Sequence, residues 1–309
     1  MKNIFNFCLC VIMACSTQTV NAQKKIDGIY YKFLDNSSEL MVTCPQDRSG
    51  YKKSNGYSGD ITIPETVMYK GKVYTVTRID AQTFSGCTSL TSISIPSSVI
   101  EIGKGTFSGC TGLKSISIPN GVICIEAQTF ENCTGLTSFI IPNSVTEIGS
   151  GAFKKCSSLT SVTILGNVTT IGNEAFQSCT NLNSIDIPNS VSSIGDFAFN
   201  ATKLTSIAIP DKVEHINEGT FYGCTHLSSV EIGKNVQDIK PWAFGYCVRL
   251  TSITFTNNNL REIYPSAFFG CKSLSIKIPG SVVKIGKDAF KGVASVKPEN
   301  ENQWQMINE

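Results

Sequence analysis

Residues 84–106 read FSGCTSLTSISIPSSVIEIGKGT, and Phe107 opens the same pattern again. Ten phenylalanines recur in this way: Phe84, Phe107, Phe130, Phe153, Phe176, Phe199, Phe221, Phe244, Phe268 and Phe290, at steps of 23, 23, 23, 23, 23, 22, 23, 24 and 22 residues. One large apolar side chain returns at a fixed step only when each stretch of chain forms the same coil and sets that side chain at the same point of a shared core. The pattern therefore predicts a stack of coils, and directs attention to surfaces rather than to an active site.

Aligned on the phenylalanine, the first full coil has apolar or small residues at Phe84, Cys87, Leu90, Ile93, Ile95, Val99 and Ile102. From Leu90 to Ile95 it reads L-x-x-I-x-I, whose last apolar positions alternate with polar ones as a half-buried strand requires. Leu113–Ile118, Leu136–Ile141, Leu159–Ile164, Leu182–Ile187, Leu204–Ile209, Leu227–Ile232 and Leu250–Phe255 repeat it. Pro96, Pro119, Pro142, Pro188, Pro210 and Pro279 follow the strand, where the missing N–H ends a ladder at little cost. The V-x-x-I-G stretch, as in Val145–Gly149, has room for a second short extended run before glycine permits a bend. The A-F-x-x-C unit, as in Ala152, Phe153 and Cys156, is too short for an α-helix and reads as one 3-10-like turn on the outer side.

Irregular steps fall in or beside turns, where a repeat fold tolerates them. One residue is missing between Phe199 and Leu204, which also removes a cysteine; one is gained at Asn257 to Asn259; one is lost at Leu274 to Ile276. Before the regular coils, Asp60 to Pro64 reads D-I-T-I-P like a repeat strand. The following Tyr69, Gly71 and Tyr74 predict a hairpin turning at Lys70 to Lys72. The organisation expected is a leader over 1–22, an amino-terminal cap of β-hairpin character over 23–57, a solenoid of period 23 over 58–292, and a carboxy-terminal cap or tail over 293–309. A solenoid end exposes its core and needs such a lid; Trp304, Met306 and Ile307 are the tail's apolar residues.

The leader has Lys2, an apolar core from Ile4 to Ala14, and the small-residue site Val20-Asn21-Ala22 before Gln23, the signature of export with cleavage after Ala22. A rival reading takes I-M-A-C, ending at Cys15, as a lipoprotein box and leaves a lipid-anchored chain; Met13 fits that box poorly. No other apolar run approaches the roughly 18 residues that span a bilayer. Export makes cysteines suspects for disulfides. Yet eight of the thirteen, Cys87, Cys110, Cys133, Cys156, Cys179, Cys224, Cys247 and Cys271, share one position of the coil. Side chains stacked in parallel pair badly, so the ladder reads as buried thiols acting as small hydrophobes. Cys44 and Cys124 lie outside it, and the sequence leaves their redox state open.

One cysteine per coil does not give the paired spacing of a zinc site. His215 and His226, the only histidines, read as a solvated surface pair rather than ligands. No G-x-S-x-G elbow, phosphate loop or dinucleotide fingerprint occurs. Asp186 and Glu231 stand two coils apart, near 10 Å by strand spacing, which is thin ground for an acid/base pair. Net charge is +2 with both signs interspersed, so no stripe tracks nucleic acid. Neither enzyme activity, cofactor nor metal is expected.

The period L-T-S-I-x-I-P-x-x-V-x-x-I-G-x-x-A-F-x-x-C, clearest in Leu90 to Cys110 and Leu136 to Cys156, resembles the BspA-type, or Treponema-type, leucine-rich repeat. The resemblance covers about residues 58 to 292, and a leader ending in N-A-Q resembles those of Bacteroidetes. It implies a leucine-rich repeat solenoid: one parallel β-sheet of about ten short strands on the concave side, turns and short 3-10 segments on the convex side, little α-helix. It further implies a non-catalytic extracellular adhesion protein at the cell surface, in the periplasm or secreted. Its partners would be host extracellular-matrix proteins, bacterial surface proteins or glycans. The family offers no catalytic residues to carry over, and the sorting tails of its members have no counterpart here. An alternative is a structural or assembly protein of the envelope without a host ligand.

Strand register predicts two columns on the concave face. One is nearly all serine: Ser92, Ser115, Ser138, Ser161, Ser184, Ser206, Ser229, Ser252 and Ser275. The other changes chemistry from coil to coil, and is the candidate ligand-binding column: Ser94, Ser117, Ile140, Thr163, Asp186, Ala208, Glu231, Thr254 and Lys277.

Overall fold

The computed structural model describes residues 23–35, 37–45, 56–256 and 259–299. The leader with Cys15, and Trp304, Met306 and Ile307 of the tail, lie outside the described residues. The described chain is a solenoid of parallel strands without α-helix.

It begins with an antiparallel unit. Lys24–Ile26 pairs with Ile29–Phe33 across Asp27 and Gly28, whose positive φ of 47° and 88° fits a two-residue primed turn. Ile29–Phe33 pairs in turn with Glu39–Thr43. Thr66–Tyr69 and Lys72–Ile79 form the predicted hairpin, with Lys70 at φ 49° and Gly71 at φ 76°. Lys72–Ile79 then runs parallel to both Glu39–Thr43 and Glu101–Ile102, while Gly59–Thr62 runs parallel to Leu90–Ser94. The first coils are thus continued, strand by strand, into the amino-terminal unit.

Most regular coils contribute to two parallel ladders. The first holds the L-x-x-I-x-I strands: Ser138–Ile141, Ser161–Ile164 and Ser184–Ile185 form one segment, and Ser206–Ala208, Ser229–Ile232 and Ser252–Phe255 another. The third pairs Ser275–Ile278 with Ser295–Pro298. The expected parallel sheet is therefore present, in segments. Leu113–Ile118 forms no ladder strand, and the breaks after Ser184–Ile185 and after Ser252–Phe255 fall at coils of irregular length, where the hydrogen-bond register must shift. The second ladder consists of two-residue strands at the V-x-x-I-G positions, such as Glu147–Ile148, Thr170–Ile171 and Ser193–Ile194.

The outer turn shows why it is not a continuous 3-10 helix. The i→i+3 bonds are there: Ser85 N–H donates to Gln82 O at 3.1 Å and Cys87 N–H to Phe84 O at 3.0 Å. Alternate N–H groups instead turn to the next coil, Gln82 to Lys104 O at 2.9 Å, Phe84 to Thr106 O at 2.9 Å and Gly86 to Ser108 O at 2.7 Å. The backbone serves both neighbours only by placing every fourth residue at positive φ, as at Gln82 (58°) and Gly86 (71°). Glycine does this freely and other residues at a cost of order 1 kcal/mol or more.

The ten phenylalanines stack in one column. Adjacent ring centroids are 5.2 to 5.6 Å apart and the ring planes lie within 15° of parallel from Phe84 to Phe290. Offset aromatic pairs at this distance contribute about 0.5–1.5 kcal/mol each beyond the area they bury. Tyr57 closes the column's amino-terminal end, its ring 4.7 Å from that of Phe84.

Beside the phenylalanines runs the cysteine column, fully or almost fully buried. Cys110, Cys133, Cys156, Cys179, Cys224, Cys247 and Cys271 are free thiols, as the coil position predicts. They are more than small hydrophobes. Each Sγ donates to the carbonyl of the phenylalanine one coil earlier, from Cys110 to Phe84 O at 3.0 Å through Cys271 to Phe244 O at 3.0 Å. The step at which the cysteine is lost is also clarified: Thr202 occupies its place. The Thr202 hydroxyl donates to Phe199 O of its own coil at 2.9 Å and lies 3.2 Å from Cys224 Sγ, so it fills the thiol's place without repeating the thiol's bond to the preceding coil. Burial pushes the Cys110 and Cys271 thiols up to about 12 and Cys224 to about 11. Since the thiolate is the reactive species, a disulfide-exchange reagent at pH 8 should leave these seven thiols unmodified in the native chain and label all of them in denaturant. Rapid labelling of any in the native state would contradict the packing.

Candidate binding face

Residues that alternate with the buried isoleucines point away from the core, and all nine members of the variable column are exposed. Pairing confirms their register where ladder bonds run: Ile140 opposite Thr163, Ala208 opposite Glu231, Glu231 opposite Thr254. The serine column is likewise in line, Ser138–Ser161–Ser184 and Ser206–Ser229–Ser252.

The structure extends both columns at each end. Thr62 stands opposite Ser94 and Lys297 opposite Lys277, while Asp60 and Ser295 continue the serine column. The D-I-T-I-P motif was the signal for the first; Ser295–Pro298 carries no L-x-x-I-x-I pattern, so Lys297 could be placed only by pairing. Asp60 accepts from Ser92 Oγ at 2.6 Å and Thr91 Oγ1 at 2.7 Å, which holds its carboxyl below the ordinary carboxylate range.

Chemistry changes along the variable column. Hydroxyls occupy Thr62, Ser94, Ser117 and Thr163, interrupted by Ile140, which is 59% exposed. Carboxylates follow at Asp186 and Glu231, with the short Ala208 between them. Lysines end it at Lys277, which pairs with Glu299 Oε1 at 2.7 Å, and Lys297. At Ala208 the face dips into a depression of about 300 Å³, lined by Ser206, Ala208, Ser229, Glu231 and Thr254.

Both histidines are occupied locally. His215 Nδ1 lies 2.8 Å from Asp238 Oδ2 on the second ladder, and His226 Nδ1 lies 3.3 Å from Thr225 Oγ1. Among the described residues no cluster of three or more His, Cys, Asp or Glu is arranged to hold a metal ion. Glu126 is half-buried, and burial, aided by the neighbouring Glu147 and Glu101 charges, pushes its carboxyl up against the opposing hydrogen bond with Cys124. A raised folded value favours the protonated form, so Glu126 lowers stability as pH rises through that value and is neutral to it well below the ordinary glutamate range. Glu126→Gln should therefore raise the melting temperature at pH 7 and leave it nearly unchanged at pH 3.

A second surface was not visible in the period. Tyr222, Trp242, Tyr246 and Phe269 gather on the outer turns of successive coils, with Tyr222–Tyr246 at 5.6 Å, Trp242–Phe269 at 5.3 Å and Tyr246–Phe269 at 5.5 Å. Trp242 and Tyr246 both sit at φ 59°, and a side chain at Gly245 would stand 2.9 Å from the Trp242 ring. The signal in the sequence was P-W-A-F-G-Y and A-F-F-G, where polar residues of the other coils give way to rings.

Six copies of the BspA type leucine rich repeat region match residues 77–196 and 169–297. The chain belongs to this family. Among solved structures, the pneumococcal vaccine antigen PcpA is similar to this BspA-type chain with a TM-score of 0.60 at 21% identity, over 92% of this chain and 83% of that one, a likeness of fold. A leucine-rich repeat protein from Bacteroides ovatus is 27% identical over 87% of this chain and 92% of its own, with a TM-score of 0.42. A leucine rich cell surface protein from Faecalibacterium prausnitzii is 24% identical over 94% and 98%, with a TM-score of 0.49. No curated protein matches the chain. No helix among the described residues is long and apolar enough to cross a membrane.

Proposed function

We propose that this BspA-type protein is exported and acts without catalysis, binding a host or bacterial macromolecule, protein or glycan, across its main sheet face. One observation carries the reading. On a scaffold whose core residues and serine column scarcely vary, a single exposed column changes from hydroxyl to apolar to acidic to basic. Stability does not require that variation, because these side chains project into solvent, whereas recognition does. The family supports the same reading, and so does the leader with its small-residue site before Gln23. The test is capture of partners by immobilised residues 23–309 from extracellular-matrix and bacterial-surface extracts, alongside a variant with Asp186→Lys and Glu231→Lys. Loss of capture with unchanged melting supports the face. Unchanged capture moves the site elsewhere, and concentration-dependent self-association without capture favours an assembly role in the envelope.

A further inference from the structure

The rings on the outer turns lie apart from the sheet face and follow the stack. Phe197, Tyr222, Trp242 with Tyr246, and Phe269 come from four successive coils, those of Phe199, Phe221, Phe244 and Phe268. Contacts cross from coil to coil: Tyr222 to Trp242 at 5.9 Å and to Tyr246 at 5.6 Å, then Phe269 to Trp242 at 5.3 Å and to Tyr246 at 5.5 Å. Four of the rings sit against glycines. The Phe197 ring fills the space that a side chain at Gly219 would take, Tyr222 and Trp242 close on Gly245, and Tyr246 lies 3.1 Å from where a Cβ at Gly270 would stand. Tyr246 is nevertheless 41% exposed and the other four rings are half-buried, so the row is held in place yet open to solvent.

Packing alone does not account for it. Phe197, Trp242 and Tyr246 hold φ of 55°, 59° and 59°, a left-handed conformation that is strained for a bulky residue. Equivalent places in other coils take glycine or a polar residue, Gly105 and Gln128 for Trp242 and Asn132 for Tyr246. Nor is the row an ordinary apolar patch. Residues 197–201, 219–223, 242–246 and 266–270 hold no Leu, Ile, Met or Val, and small or polar residues such as Asn200, Gly223, Ser266 and Gly270 stand between the rings. The centre of a protein–protein interface is filled out by further apolar side chains. Rings interleaved with small polar positions suit instead a ligand that is polar at its rim and apolar on its faces. A pyranose is such a ligand: its hydroxyls lie around the rim, and the C–H groups of its face meet the negative face of an aromatic ring. Successive coils are 5.2 to 5.6 Å apart at the phenylalanine column, close to the length of one hexose in an extended chain. A straight glycan along the stack therefore meets a new ring at each sugar.

We propose that the outer turns from Phe197 to Phe269 bind a linear, uncharged, β-linked glycan, laid along the stack with its sugar faces on the rings, at a site separate from the main sheet face. Equatorial linkage keeps successive sugar faces in one plane, as a straight row of rings requires. The charges at the row's end, Lys291 and Asp288, pair with each other at 3.4 Å, which matches an uncharged ligand.

The probes are cellohexaose, chitohexaose and β-mannohexaose, titrated by calorimetry into residues 23–309, with the corresponding disaccharides as short matches. At least one hexasaccharide should bind, and about tenfold or more tightly than its disaccharide, because stacking adds with each ring reached. Trp242→Gln with Tyr246→Asn should weaken it about tenfold or more, the scale of losing stacked rings. These substitutions install the residue types that Gln128 and Asn132 supply at the same positive φ, so the fold is retained, and a melting temperature no lower than the parent's verifies it. Ile140→Ser, on the sheet face, should leave sugar binding unchanged. No binding by any of the hexasaccharides, equal binding of long and short sugars, or binding that the double variant does not weaken overturns the proposal. Weakening by Ile140→Ser in place of the double variant puts the sugar on the sheet face and overturns it too. Partner capture from extracts that persists in the double variant while sugar binding is lost supports two separate sites.

Discussion

Phe176→Ala should lower the stability of the folded chain by about 3–5 kcal/mol, the range for deleting a buried phenylalanine ring. Phe176 is fully buried and lies between Phe153 at 5.2 Å and Phe199 at 5.4 Å, so two stacked contacts go with the ring. The effect should also change the shape of unfolding. In a stack of coils each unit touches only its neighbours, and stability is close to a sum of coil terms and interface terms. Weakening one central interface uncouples the coils before it from those after it. Urea unfolding followed by circular dichroism should therefore split from one transition into two. Phe290→Ala, at the last coil and 8% exposed, should cost less and leave one transition. A single, slightly shifted transition for Phe176→Ala would mean that the phenylalanine column does not couple the coils.

Tyr57→Ala should be comparably damaging, although Tyr57 precedes the regular period. Its hydroxyl donates to Thr43 O at 2.7 Å and accepts from Tyr30 N–H at 3.0 Å, while its ring covers Phe84. The side chain thus ties the amino-terminal strands to the end of the core, and burial raises its phenol well above the ordinary tyrosine value. Loss of the ring opens a cavity worth about 3–5 kcal/mol. Tyr57→Phe isolates the polar contribution: it keeps the ring and leaves the Thr43 carbonyl and Tyr30 N–H without that partner, for about 1–3 kcal/mol per buried group. Thermal melts of the two variants, with binding of a hydrophobic dye to report exposure of Phe84, separate packing from hydrogen bonding. Equal, negligible effects would show that the amino-terminal strands do not cover the core.

Particular residues show how much was legible beforehand. The phenylalanine step and L-x-x-I-x-I gave the coil, the sheet direction and the two exposed columns, because a side-chain period of two leaves no choice of face once one face is buried. The K-G-K hairpin was readable from Gly71 and its tyrosine neighbours. What Thr202 bonds in the cysteine's place was not legible, since its hydroxyl turns to Phe199 O of its own coil where the thiols reach the preceding coil, and only the stacked geometry shows that difference. Lys297 was not legible for a related reason: the final strand, Ser295–Pro298, pairs with Ser275–Ile278 without repeating the pattern that earlier strands needed to bury both sides.

The sequence by itself determined a stack of parallel coils, its register and its buried columns, for those follow from local periodicity that every coil restates. It could not show where the sheet breaks, because a break depends on how a missing or extra residue is absorbed between neighbouring coils. Nor could it show the depression at Ala208, bordered by Ser206, Ser229, Glu231 and Thr254, or the rings gathered at Trp242. These arise from side chains about 22 to 27 residues apart in the chain that become neighbours only when the coils are stacked. Periodicity specifies what all coils share, whereas the candidate site is built from what adjacent coils do not share, and only their contact in three dimensions brings those differences together.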